Sequence, residues 1–153
     1  MVTQQSIDEI AMRLHRFKTG ERPHIQSSFH CGTSHCLAGD KCVDDFCEHK
    51  GITLEDFHAE YLPYFMPDTS DDEDTCVGSI EDVLDIDDEF YVFLRDGSSA
   101  LGSEIEWNYA RTVWDLSFDE SCSLFTGSLK LDEMIQALKE IAAHHGLTVP
   151  DYL

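Results

Sequence analysis

The chain has 153 residues, of which 42% are hydrophobic, enough for one packed domain and too many for disorder throughout. Its 31 acidic residues outnumber 10 basic ones for a formal charge of −21, a field that repels nucleic-acid phosphates and anionic lipid heads. No apolar run reaches the ~20 residues that cross a bilayer. The expectations are a protein partner with a basic surface, no direct nucleic acid and no membrane, with the oligomeric state left open.

The opening segment, Met1 to Glu9, has neither the basic nor the apolar region of a secretory signal, which places the chain in the cytoplasm. In a reducing compartment the six cysteines, Cys31, Cys36, Cys42, Cys47, Cys76 and Cys122, are expected as thiols or metal ligands, not as a disulfide framework.

Helix starts recur along the chain. Ser6-x-x-Glu9, Ser103-x-x-Glu106 and Ser117-x-x-Glu120 match the capping box, and Thr53-x-x-Asp56 and Ser79-x-x-Asp82 are shorter-armed versions. A first helix is predicted from Ile7 to about Lys18, with Ile7, Ile10, Leu14 and Phe17 on one face and Gly20 as its stop. A loop through Pro23 leads to Cys31, and a second helix is predicted to start near Thr33 or Ser34. The third spans Leu54 to Leu62 and ends at Pro63.

Asp68 to Asp74 reads as an exposed acidic loop, inside a 68–96 window with 12 acids and one base, Arg95. Within that window, Phe90 to Leu94 is helix core or one short strand, with helix preferred because no second strand offers itself as partner. Two helices are predicted to meet at a corner between Ile105 and Phe125, with Trp107, Tyr109, Ala110 and Trp114 in an apolar stripe. Lys130 to His145 carries the clearest stripe, Leu131, Met134, Ile135, Leu138, Ile141 and Ala142, closed by Gly146. Together these give an all-α fold: a single domain, 1–153, of five to seven helices, with the acidic segment 68–96 partly exposed.

The densest chemical cluster is His30-Cys31-Gly32-Thr33-Ser34-His35-Cys36, followed by Cys42, Cys47 and His49. Zinc takes four soft or borderline ligands, commonly in CxxC-like pairs, and the intervals here are wider. Cys36 and Cys47 on one helix would lie ~16 Å apart, too far to share an ion. Cys31, His35 and Cys36 with a distant fourth ligand form the candidate metal set. A cysteine at a helix start can also be an activated nucleophile, with His30 or His35 as base. Against both stands packing, since Cys36, Ala38 and Gly39 make a small-residue surface. Asp68, Asp71, Asp72, Glu73 and Asp74 offer oxygen ligands that suit calcium but lack the EF-hand order. No cofactor is therefore expected, zinc and calcium being the only metals these residues suggest, and no catalytic residue is assigned.

Cys31-Gly32-Thr33-x-x-Cys36-x-Ala38-Gly39 resembles the CGTxxCxAG signature of a group of uncharacterised bacterial and phage proteins. Ala110-x3-Trp114-x-Leu116-Ser117-x-x-Glu120-x3-Leu124-Phe125 is similar to that group's A-x3-LGLTxxEAxxLF segment. Asp40 stands where an aromatic residue commonly follows the Ala-Gly, and Trp114 replaces a leucine. The resemblance implies a small helical domain in a bacterial or phage setting and points to no particular activity.

The functional expectation is a non-enzymatic accessory protein that binds a protein partner through an acidic surface. Asp71, Asp72, Glu73, Asp74, Asp85, Asp87 and Asp88 are the candidate contact residues. One form of this is a nucleic-acid mimic that inhibits by occupying a basic nucleic-acid-binding surface. Arg13, Arg16, Lys18 and Arg22 leave the first thirty residues slightly basic, so the acid is concentrated after Asp40. The alternative is a metal- or thiol-dependent protein centred on Cys31, His35 and Cys36.

Overall fold

The computed structural model describes residues 1–26, 30–31, 34–65, 80–99 and 104–153, with backbone alone at His30, Cys31, Ser34 and Asp82. Among these, seven α-helices build an all-α fold: α1 (Gln4–Thr19), α2 (Leu37–Lys50), α3 (Leu54–Phe65), α4 (Glu89–Gly97), α5 (Ile105–Val113), α6 (Phe118–Phe125) and α7 (Leu131–His144). A 3₁₀ turn, Ile80–Asp82, precedes α4. No helix among the described residues is long and apolar enough to cross a membrane.

Two apolar clusters hold the helices. In the first, Ile7, Ile10 and Leu14 of α1 meet Met134 and Leu138 of α7, with Trp114 and Leu124 closing the layer. In the second, Phe46 of α2 meets Phe57, Tyr61 and Phe65 of α3 and Phe90 and Leu94 of α4. The second is built of rings at aromatic packing distance, Phe46 lying 5.0 Å from Phe90 and Phe57 5.1 Å from Phe90, centre to centre. The apolar stripe read for the C-terminal helix is the face α7 turns to the core.

Several local expectations need correcting. Thr3, not Ser6, caps α1: its hydroxyl accepts from the Ser6 N–H, and Ser6 is buried within the helix. The second helix starts later than predicted, at Leu37, because residues 30–31 and 34–35 pair as a two-residue antiparallel ladder, β1 (His30–Cys31) with β2 (Ser34–His35). Pro63 does not end α3, which runs on to Phe65; that residue is fully buried against Phe57 and Tyr61, so core packing holds the last turn. Residues 90–94 are helical, and the short-strand alternative falls. Phe90 and Leu94, four apart, both face the core, as a helix of that phase requires. At α5 the cap residue is Glu104 and has no side-chain cap bond, while Ser103 and Ser79 lie outside the described residues.

Other signals hold. Ser117 and Glu120 form a reciprocal capping box at α6, and Thr53 and Asp56 exchange the equivalent bonds before α3. Gly20 and Gly51 end α1 and α2 in the left-handed conformation glycine adopts at no steric cost. The corner between α5 and α6 places Asp115 at φ 55°, a region aspartate tolerates better than most residues.

Candidate functional site

The most concentrated chemistry lies where α1 crosses α2. Glu9 and Arg13, one turn apart, share a face of α1; Asp40, Lys41, Asp44 and Asp45 meet them from the first turns of α2. The Arg13 guanidinium donates through Nη1 to Asp40 Oδ2 at 2.6 Å and Asp44 Oδ2 at 2.7 Å, and through Nη2 to Glu9 Oε1 at 3.2 Å. Arg22, from the loop after α1, donates to Asp40 Oδ1 at 2.8 Å and to Asp44 Oδ1. Lys41 pairs with Glu9 and with Asp45 at 3.0 Å.

Asp40 is completely buried. Burial opposes charge on Arg13, but Asp40 and Asp44 outweigh it and hold the guanidinium above its ordinary range. On Asp40 burial is the stronger influence and lifts the carboxyl despite Arg13 and Arg22. Trp114 Nε1 donates to Glu9 Oε2 at 2.9 Å, and the Tyr109 hydroxyl donates to Asp45 Oδ2 at 2.8 Å, so the charges are tied to both apolar clusters. With Arg16 3.9 Å from Asp44, four cations face four carboxylates. The set is balanced and reads as a clasp between helices.

The predicted metal set is divided. His35 and Cys36 are buried beside each other, whereas the Cys31 side chain is outside the described residues. The Cys36 thiol caps α2 by accepting from the Gly39 N–H at 3.2 Å, and burial pushes it up to about 12. His58 Nε2 stands 3.4 Å from His35 Nε2, and burial, then Arg22, lowers His58 below the ordinary histidine range. Among the described residues no three His, Cys, Asp or Glu side chains are grouped to hold a metal ion.

The predicted acidic contacts also divide. Asp71, Asp72, Glu73 and Asp74, and Asp68 of the calcium reading, lie outside the described residues. Asp85 and Asp87 are exposed on the turn before α4, either side of Ile86, which is 67% exposed. Asp88 is committed internally: it caps α4 by accepting from the Phe90 N–H at 2.8 Å and accepts from the Tyr61 hydroxyl at 3.2 Å.

A groove of about 510 Å³ opens between the C-terminal half of α2, α4 and α5. Phe46, Phe93 and Tyr109 form its aromatic floor, with the rings of Phe46 and Phe93 5.6 Å apart and those of Phe93 and Tyr109 5.5 Å apart. Val92 and Val113 stand at its sides, and Lys50, Glu89 and Asp96 on its rim. No family model, curated protein or solved structure matches the chain.

The groove was hidden in the sequence because its parts come from three helices that share no motif. The clasp left a faint signal in the four-residue spacings Glu9–Arg13 and Asp40–Asp44, which place like faces together without saying that the faces meet. Glu106, a cap residue by its spacing from Ser103, is buried on α5, and burial, with Glu104 and Glu81 adding to it, pushes the carboxyl up to about 8.

Proposed function

We propose that the chain is a non-enzymatic binding protein that engages the basic surface of a protein partner through an acidic face. A bacterial or phage setting accords with the sequence resemblance, and occupation of a nucleic-acid-binding surface is one way such a protein inhibits.

The observation that carries this reading is the segregation of charge. The clasp engages Arg13, Arg16, Arg22 and Lys41, four of the ten bases, and balances them against four acids. The whole −21 is left to the rest of the molecule, where six bases face 27 acids. Asp85 and Asp87 flank an exposed isoleucine on the same turn, and Glu55, Asp56 and Glu60 are exposed on α3. An apolar side chain standing in water between two carboxylates suits a protein partner better than a bare counter-ion atmosphere. The alternative centred on Cys31, His35 and Cys36 has less support, because the Cys36 thiol is buried, protonated and used as a helix cap.

The test is capture of partners from a bacterial lysate at low salt, then titration of the purified partner with wild type and with an Asp85→Asn/Asp87→Asn variant. The reading expects affinity to fall steeply with salt and to drop in the variant. A partner bound equally well at high salt and by the variant would refute it.

A further inference from the structure

We infer that the groove between α2, α4 and α5 is the docking site for a basic amphipathic helical segment of the partner, an inference that rests on the acidic-binding reading above. Its apolar anchor would lie on the aromatic floor and its lysine or arginine side chains on the rim carboxylates Glu89 and Asp96.

Three features fit that occupant. The first is that the floor is already formed. Tyr109 is held at one end by its bond to Asp45, and its ring edge lies against Gly97 so closely that a Cβ there would stand 2.5 Å from it. The ring is therefore fenced by α4, and the groove stays open without an occupant to prop it. The second is size. About 510 Å³ lies within the ~300–1,000 Å³ of ordinary ligand clefts and admits the anchoring side chains of one helix face.

The third is charge. Glu89 and Asp96 stand on the rim; among the described lining residues Lys50 and His49 are the basic types, and Arg95 lies 3.7 Å from Asp96. Lys50 itself shows the chemistry the groove accepts: its ammonium lies 5.8 Å from the centre of the Phe46 ring and pairs with Glu89. Glu89 is the main cause holding that ammonium above its ordinary range, with Glu60 and Asp88 adding to it. A partner cation arriving here meets an aromatic face and a carboxylate already arranged for an ammonium. Lys50 is exposed and can be displaced by it.

The probe is a synthetic helical peptide with leucine on one face and lysine on the other, compared with a version carrying alanine for leucine. Binding is read by fluorescence anisotropy against wild type, Val113→Trp, Lys50→Ala and Lys139→Ala. Val113 is 40% exposed at the side of the groove, so tryptophan there fills the space without disturbing the core. The leucine peptide should lose roughly tenfold in affinity with Val113→Trp. It should bind Lys50→Ala more tightly than Lys139→Ala, although both remove one positive charge. Equal binding by the alanine peptide, or indifference to Val113→Trp together with equal gains from the two lysine variants, would overturn the groove. If salt and Asp85→Asn/Asp87→Asn still weakened binding in that case, the acidic reading would survive alone. Should Val113→Trp misfold by circular dichroism, the Lys50→Ala and Lys139→Ala comparison decides. Self-association of the free protein, abolished by Val113→Trp in sedimentation, would also overturn the inference by making a second copy the occupant.

Discussion

Replacing Asp40 by alanine should be among the most damaging single changes in the clasp. The carboxylate is completely buried and accepts from Arg13 at 2.6 Å and Arg22 at 2.8 Å. Removing one partner of a buried ion pair costs ~3–5 kcal/mol, because the surviving charge stays desolvated. Arg13 keeps Asp44 and Glu9, and Arg22 keeps Asp44, which argues for the lower end of that range. Asp40 also sits in the first turn of α2, where a negative charge stabilises the helix by a further ~0.5 kcal/mol.

A loss of ~3 kcal/mol is a large share of the ~5–15 kcal/mol of a typical domain. With a urea slope of ~2 kcal/mol/M, it lowers the unfolding midpoint by ~1.5 M. The assay is urea unfolding followed by circular dichroism, with Asp40→Asn alongside. Asparagine keeps the shape and one acceptor, so it should fall between wild type and alanine. If Asp40→Ala cost less than ~1 kcal/mol, the clasp would be a surface ornament, and the pairing of four bases in it could not be called structural.

Two further outcomes follow from buried ionisable groups. Glu106 holds its proton in the folded protein up to about 8, while unfolding returns it to the ordinary carboxyl range near 4.5. Between those values the folded state binds more protons, so Glu106 makes stability fall as pH rises through the window, by at most about 1.4 kcal/mol per unit, and level off above it. Glu106→Gln should remove that contribution and raise the melting temperature most at alkaline pH; identical pH profiles for the two proteins would contradict it. Burial pushes the Cys36 thiol up to about 12, Cys47 up to about 11, and Cys42 well above its ordinary value. All three should resist maleimide in native buffer and react fully in urea, read by mass spectrometry; rapid native labelling of Cys36 would favour the thiol-dependent alternative.

The helices were legible where periodicity and punctuation agreed. The α7 stripe, the corner between α5 and α6 and the box at Ser117 each repeat one instruction twice. Boundaries failed where tertiary contacts overruled a local rule, as when Phe65 carried α3 past Pro63, or where two local rules competed. Thr3 and Ser6 are both hydroxyls before a helical run, and only the burial of Ser6 decides between them. The cysteine segment misled for a related reason: Cys36 was rightly placed near the start of a helix, but nothing in the spacing said that burial would keep its thiol protonated. The clasp and groove were beyond the sequence because each depends on which helix faces which, and a single chain read in order does not carry that pairing.

The clasp and the acidic surface are two sides of one distribution. A chain with so few bases could scatter them among its acids and soften the field everywhere. Here Arg13 and Arg22 converge on one buried aspartate, and Lys41 is turned inward to Glu9 and Asp45. Ion pairs of this kind add little net stability over a well-packed apolar core, so stability alone is a weak reason for the arrangement. It fixes how α1 sits on α2, and it pairs four bases with four acids beside an open cleft that Glu9, Arg16 and Asp44 line. By count, six bases are left among the other 27 acids, and the aromatic groove opens between α2, α4 and α5. Long-range attraction would bring a basic partner to the molecule, and the groove supplies a short-range contact that charge cannot, so salt should govern the rate of association and the apolar anchor the rate of release.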